Sequence, residues 1–176
     1  MFLISDTHFY HNNIINYCDR PFNNSDEMNE YIIKKWNEVV KKDDFVVHLG
    51  DFAIGWDKRY KTKKDAYKAI MDRLNGKKIL IRGNHDKESN QFYLDIGFDK
   101  VLDNMILTLG DKKILFSHYP LELKKEYKKD LYDYISRLKE NEYDLIFHGH
   151  THNRIVNLPN HINFSVELHD YTPQKF

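Results

Sequence analysis

Lys77-Lys78-Ile79-Leu80-Ile81-Arg82-Gly83-Asn84-His85-Asp86 runs from a short apolar stretch straight into three adjacent polar side chains of different chemistry. The apolar part reads as a buried β-strand, and the polar part as the turn beyond its end. Asn84 offers a neutral oxygen ligand, His85 a proton donor or acceptor, and Asp86 a carboxylate able to orient the histidine. On this reading Asn84 holds a metal while His85 faces a substrate.

Working outward, the same pattern recurs. Upstream, Phe2-Leu3-Ile4 reads as a buried strand that runs into Ser5-Asp6-Thr7-His8, followed by a polar loop over 9–24. Ser25 is the expected N-cap of an amphipathic helix carrying Met28, Tyr31, Ile32, Trp36, Val39 and Val40 at helical spacing. Phe45-Val46-Val47-His48-Leu49 is a β-branched run ending at Gly50-Asp51. Thr62 is the expected cap of a helix with Ala66, Ala69, Ile70 and Leu74 on its apolar face, and a short helix is expected from Ser89 to Ile96. Strands alternating with helices argue for an α/β layer with parallel strands.

Downstream, short strands are expected over 100–102, 105–109 and 113–116, with a hairpin turn at Gly110-Asp111. The last of them ends at Ser117-His118. Tyr127, Leu131, Tyr134, Ile135 and Leu138 mark a further helix after Pro120. Asp144-Leu145-Ile146-Phe147 leads to His148-Gly149-His150-Thr151-His152, and 162–166 alternates like an antiparallel strand. Residues 1–176 read as one domain, with no repeat and no linker.

Composition narrows the partners. Twenty-seven basic residues balance 27 acidic ones, so no overall field draws the chain to extended nucleic acid or an anionic membrane. No apolar run is long enough for a bilayer and the N-terminal run is too short for a signal peptide. Cys18 is alone, which excludes an intrachain disulfide and makes the cytoplasm the expected location.

Five strand candidates therefore end in turns that carry metal-competent side chains: Asp6 and His8, Asp51, Asn84, His118, and His150 with His152. Ligands gather beyond the carboxyl ends of strands in open α/β sheets, so these turns can converge. Two carboxylates, one amide and four imidazoles make an N/O field suited to Mn, Fe, Ni or Zn, with Mg less favoured because of the histidines. Seven ligands are too many for one tetrahedral ion and suit two divalent ions sharing a carboxylate.

Asp6-Thr7-His8, Gly50-Asp51, Gly83-Asn84-His85-Asp86, His118 and Gly149-His150-Thr151-His152 stand in the order that resembles the calcineurin-like metallophosphoesterases, closest to their small bacterial and phage members. Asp51 is followed by Phe52-Ala53-Ile54-Gly55, unlike the extended motif of the protein serine/threonine phosphatases. The resemblance implies a four-layer αββα sandwich of two mixed β-sheets flanked by helices. It implies that Asp6, His8 and His152 bind one metal, that Asn84, His118 and His150 bind the other, and that Asp51 bridges them. It further implies hydrolysis of a phosphoester by a metal-bridging hydroxide, with His85 as general acid and Asp86 behind it. Manganese is the favoured metal. A small phosphodiester or nucleotide-type substrate is favoured because no capping domain is visible; a phosphomonoester and a non-catalytic scaffold are the alternatives. The scaffold reading would want His85 or several ligands missing, and none is.

His11, in the first loop, and Arg20 are candidates for substrate phosphate, with Arg82 and Asn12 weaker ones. His48 and His148 read as histidines that support the site from behind or simply satisfy the core. The 56–64 segment interleaves Trp56 and Tyr60 with cations, as single-strand binders do, but equally suits a solvated loop.

Overall fold

A computed structural model describes residues 1–121, 138–139, 142–154 and 158–176. Phe2–Ile4 forms β1, which turns Leu3 to one face of a sheet and Phe2 and Ile4 to the other. With Phe45–His48 (β2), Lys77–Ile81 (β3), Lys100–Leu102 (β4) and the late pair Gln174–Lys175 (β9), it makes a sheet in the order β4-β3-β2-β1-β9. β1 to β4 run parallel, and β9 is antiparallel to β1. Asn104–Leu109 (β5), Lys112–Ser117 (β6), Leu145–His148 (β7) and His161–Asn163 (β8) form the second sheet in that order. There β5 and β6 are an antiparallel hairpin and the other pairings are parallel.

The sheets pack face to face through Leu3, Val47, Leu49 and Ile81 on one side and Ile114, Phe116, Phe147 and Phe164 on the other. The opposite face of the first sheet, with Phe2, Ile4, Val46 and Leu80, is covered by the helices Asn12–Tyr17 (α1), Ser25–Val39 (α2), Lys63–Met71 (α3) and Asn90–Ile96 (α4). This is the mixed α/β architecture expected, two mixed sheets with helices outside. The helix expected after Pro120 lies outside the described residues except for Leu138. That residue packs against a cluster of Tyr119, Leu121 and Tyr143 with Leu115 and Ile146, the last two turned away from the inter-sheet core by the alternation along β6 and β7.

Local signals explain most boundaries. Thr62 caps α3 in a reciprocal box with Asp65, and Ser89 caps α4, whose end is marked by Gly97 in a left-handed conformation. Four features differ from expectation. The side chain accepting from the Glu27 N–H is that of Asn24, so Ser25 is the first residue of α2 and not its cap. The polar first loop contains α1, held down by buried Ile14 and Ile15. β8 pairs parallel with β7 and stops at Asn163, because Ser165 leaves to bridge Ser5 and Val166 opens a 3-10 turn. β9 was not foreseen, being two polar residues recruited by the free edge of β1.

Candidate active site

The carboxyl ends of β1, β2 and β3 lie side by side, as do those of β6 and β7. Two hydrogen bonds to Asp6 Oδ2 join the two sets, one from the His150 N–H at 3.0 Å and one from the Ser165 hydroxyl at 2.9 Å. The backbone beyond these strands is strained in a consistent way. Asp6, His8, Asp51, His150 and His152 all hold positive φ, at 58°, 50°, 57°, 69° and 50°. A non-glycine residue held there typically costs about 1–3 kcal/mol, and such strain gathers at functional sites.

Two glycines let the turns close. A Cβ on Gly83 would sit 2.2 Å from Asp51 Oδ1, and one on Gly149 would sit 1.9 Å from Ser5 Oγ and 2.4 Å from Asp6 Oδ2. Neither position tolerates a side chain without moving a carboxylate.

The seven candidate ligands then form one connected cluster. His8 Nε2 lies 4.0 Å from Asp6 Oδ1 and 3.5 Å from Asp51 Oδ2. His152 Nε2 is 3.8 Å from Asp6 Oδ1, and His118 Nε2 is 3.6 Å from Asp51 Oδ2. His118 Nε2 also stands 3.2 Å from both Asn84 Oδ1 and His150 Nδ1. Its other nitrogen, Nδ1, is 2.7 Å from the Leu49 carbonyl, which can only accept, so Nδ1 carries the hydrogen and Nε2 turns a lone pair inward. Asp6 Oδ1 and both ring nitrogens of His8 are buried with no hydrogen-bond partner.

Lone pairs facing lone pairs in a buried pocket call for cations. Burial pushes the Asp51 carboxyl up to about 7, opposed by His118 and reinforced by Asp6 and Asp86. Burial drives the ring of His8 well below the ordinary histidine range and that of His150 to about 3. It also works against charge on His152, but Asp6, Cys18 and Glu167 outweigh it and hold that ring up at about 11. The site thus accepts positive charge between Asp6 and Glu167 and disfavours bare negative charge on Asp51. That donor set fits divalent ions.

His85 differs from the seven. Its side chain is 42% exposed, with Nε2 4.0 Å from Asp51 Oδ2, while its backbone N–H donates to Asp51 Oδ1 at 2.9 Å. It stands at the mouth of the cluster, where a substrate would arrive.

Residues 1–164 match the model of the calcineurin-like phosphoesterase superfamily domain. The chain belongs to that superfamily. It is a phosphoesterase, a hydrolase acting on phosphoester bonds, and the family is metal-dependent. It is similar to the uncharacterized protein MJ1445 of Methanocaldococcus jannaschii, at 34% identity over 98% of this chain and 85% of that one. It is also similar to the Gene 66 protein of Mycobacterium phage D29, at 29% identity over 96% of this chain and 89% of that one. The crystal structure of a protein of unknown function, AQ665 from Aquifex aeolicus, superposes with a TM-score of 0.72 at 33% identity, covering 99% of this chain and 94% of that one.

In this phosphoesterase the remaining residues take definite places. Asp86 is not behind the His85 ring. Its Oδ2 accepts from the Asp51 N–H at 2.7 Å and the Gly83 N–H at 2.8 Å, and its Oδ1 from the Phe52 N–H at 3.1 Å, so it clamps two ligand-bearing turns together. Arg20 lies beneath the cluster. Its guanidinium donates to the Asp6 carbonyl at 2.7 Å, the Thr7 carbonyl at 3.0 Å and Glu167 Oε1 at 2.6 Å, all with almost no exposure. Those acceptors engage the groups that a phosphate contact would use. Arg82 likewise donates to Asn90 and to the Asp86 and Glu88 carbonyls.

His11 does join the site. Its ring centroid is 5.3 Å from that of His8, and burial pushes it down to about 4 with help from His85. His48 accepts from the Gly50 N–H through Nδ1 and so donates from Nε2 to Thr7, which passes its own hydrogen to the Phe52 carbonyl. It fastens the Asp51 turn to the Asp6 turn. His148 is buried with Nδ1 donating to the Gly149 carbonyl at 2.8 Å. In the 56–64 segment Arg59 meets Asp26 and Asp57, Lys63 meets Glu88, Lys64 meets Asp95, and Lys58 lies over the Trp56 ring, so these cations are engaged within the chain.

Sequence reading missed Glu167. Its Oε1 lies 2.8 Å from His152 Nδ1, which must carry a hydrogen, while Nε2 faces Asp6 Oδ1 at 3.8 Å. No local pattern marks it; the signal is a carboxylate brought from 15 residues beyond His152 by a 3-10 turn.

Proposed function

We propose that this chain is a phosphodiesterase with a two-metal centre, acting on a small or nucleotide-type diester. Asp6, His8 and His152 would hold one ion and Asn84, His118 and His150 the other, with Asp51 between them. When bound, the ions supply an activated water and neutralise charge on the phosphoryl group. The chain's own residues do the rest. Leu49 and Glu167 hold the Nδ1 hydrogens of His118 and His152, so Nε2 is the nitrogen each ring would present to a metal. His85 gives a proton to the leaving oxygen, and Asp86 keeps the Asp51 and Gly83 turns in register.

The observation that carries this reading is the convergence of seven candidate ligands, with Asp6 Oδ1 and the His8 ring lacking hydrogen-bond partners, beside one exposed histidine. The preference for a diester rests on two clefts, one lined by His85 and the other by its neighbour Asn84. One, of about 480 Å³, is walled by His8, Ile14, Tyr17, Ile54, His85 and His152. The other, of about 420 Å³, is walled by Arg82, Gly83, Asn84, Lys87, Asp103 and Tyr119. A monoester needs room for one substituent, a diester for two. Among the described residues no helix is long and apolar enough to cross a membrane.

The test is turnover with added manganese on a nitrophenyl diester and the matching monoester. The diester is expected to turn over faster. Faster turnover of the monoester would overturn the diester preference, and no turnover of either with any divalent ion would overturn the two-metal reading.

Glu167 gives a second check. Glu167→Gln keeps the volume but weakens its hold on His152 Nδ1. Loss of such an outer partner costs roughly 10–100-fold in metal affinity. Metal analysis after dialysis is expected to show one ion per chain retained and the other depleted; equal retention of both would remove Glu167 from the metal centre.

A further inference from the structure

The cleft beside His85 has a feature that two-metal chemistry does not use. Tyr17, the last residue of α1, is 72% exposed at its edge, although large aromatic side chains ordinarily bury their rings. Its position is fixed from below. Ile14 and Cys18 are buried, and the Asn153 side-chain amide donates to the Cys18 carbonyl at 3.1 Å, tying the end of α1 to the His150-Thr151-His152 turn. The Tyr17 ring meets the His11 ring edge-on, with centroids 6.2 Å apart, and Ile14 and Ile54 add apolar wall. The exposed ring therefore stands on a rigid support within the same cleft as the proposed acid. His85 lines this cleft and not the one beside Lys87.

We propose that this cleft is the leaving-group subsite and that it takes a planar aromatic group, in a nucleotide-type diester the base of the departing nucleoside, stacked on Tyr17. The inference rests on the phosphodiesterase reading above and names which arm goes where. The bond from phosphorus to the leaving oxygen breaks as a bond to the oxygen of water forms. The leaving oxygen takes its proton from His85, which regains one from solvent as the attacking water gives up its own. An acid serves the oxygen beside it. The arm on the His85 side is therefore the one that departs, and the retained arm lies toward Lys87.

The test compares a dinucleoside monophosphate with its counterpart lacking the base on the departing nucleoside, so that leaving-oxygen chemistry is matched. The selectivity, as the ratio of the two kcat/KM values, is expected to fall roughly 5–150-fold in Tyr17→Ala, the range that aromatic–base stacking supports. Tyr17→Phe is expected to preserve it. An unchanged ratio in Tyr17→Ala, with both substrates still hydrolysed, would overturn the subsite while leaving the phosphodiesterase reading intact. A binding titration with the free nucleoside, followed by chemical shifts of the cleft residues, separates the two ideas further. Tyr17-dependent binding without any turnover would keep an aromatic-binding site on Tyr17 but sink the phosphodiesterase reading and with it the leaving-group role; neither binding nor turnover would sink both.

Discussion

Asp51→Asn is expected to strip the centre of metal while leaving the fold intact. Asp51 is 2% exposed, and its two oxygens do different work. Oδ1 accepts the His85 N–H, a role an amide oxygen can keep, whereas Oδ2 faces His8 Nε2 at 3.5 Å and His118 Nε2 at 3.6 Å. Asparagine removes the charge and turns an NH₂ group toward those rings. If Asp51 bridges two ions as proposed, its loss should cost more than that of an outer-shell partner, which is roughly 10–100-fold in affinity. Metal content is expected to fall below one ion per chain, with turnover lost in proportion. With chelator present, the variant should unfold at a denaturant concentration no lower than the wild type, since it buries an amide and not an uncompensated carboxylate. Retention of two ions by the variant would remove Asp51 from its bridging place.

His85→Ala separates chemistry from metal binding. The backbone N–H that donates to Asp51 survives the substitution, and the ring is the exposed part, so both ions are expected to stay. On an alkyl or nucleoside leaving group the rate is expected to fall by roughly 10²–10⁴, the usual contribution of a positioned acid. On a nitrophenolate, a weak base that needs no proton, the loss should be far smaller. Metal analysis and the two substrates side by side make the check. Loss of both ions, or equal loss on both leaving groups, would show that His85 holds the site together and does not protonate the product.

The comparison of sequence with structure divides along contact range. Strands β1, β2, β3, β6 and β7 were legible because each is a compact apolar run that stops at a polar turn, and the seven candidate ligands stood out because they sit at those stops. Thr62 and Ser89 were legible because capping is local. Glu167 was not, because its partners Arg20 and His152 are set by how the C-terminal turn folds back onto the first loop. Asp86 shows the same limit from the other side. Adjacency to His85 suggested that the two act together, yet its carboxylate reaches 34 and 35 residues away for backbone N–H groups. A neighbouring residue in a turn often points elsewhere.

The far end of the chain has one more consequence, for biosynthesis. Ser165 pairs with Ser5, the Val166 N–H donates to the Ser5 carbonyl, Glu167 locks Arg20, and β9 lies along β1. Asp6 and His8 are therefore synthesised well before the residues that support them, and until residue 167 folds back onto the first loop this part of the site has no floor.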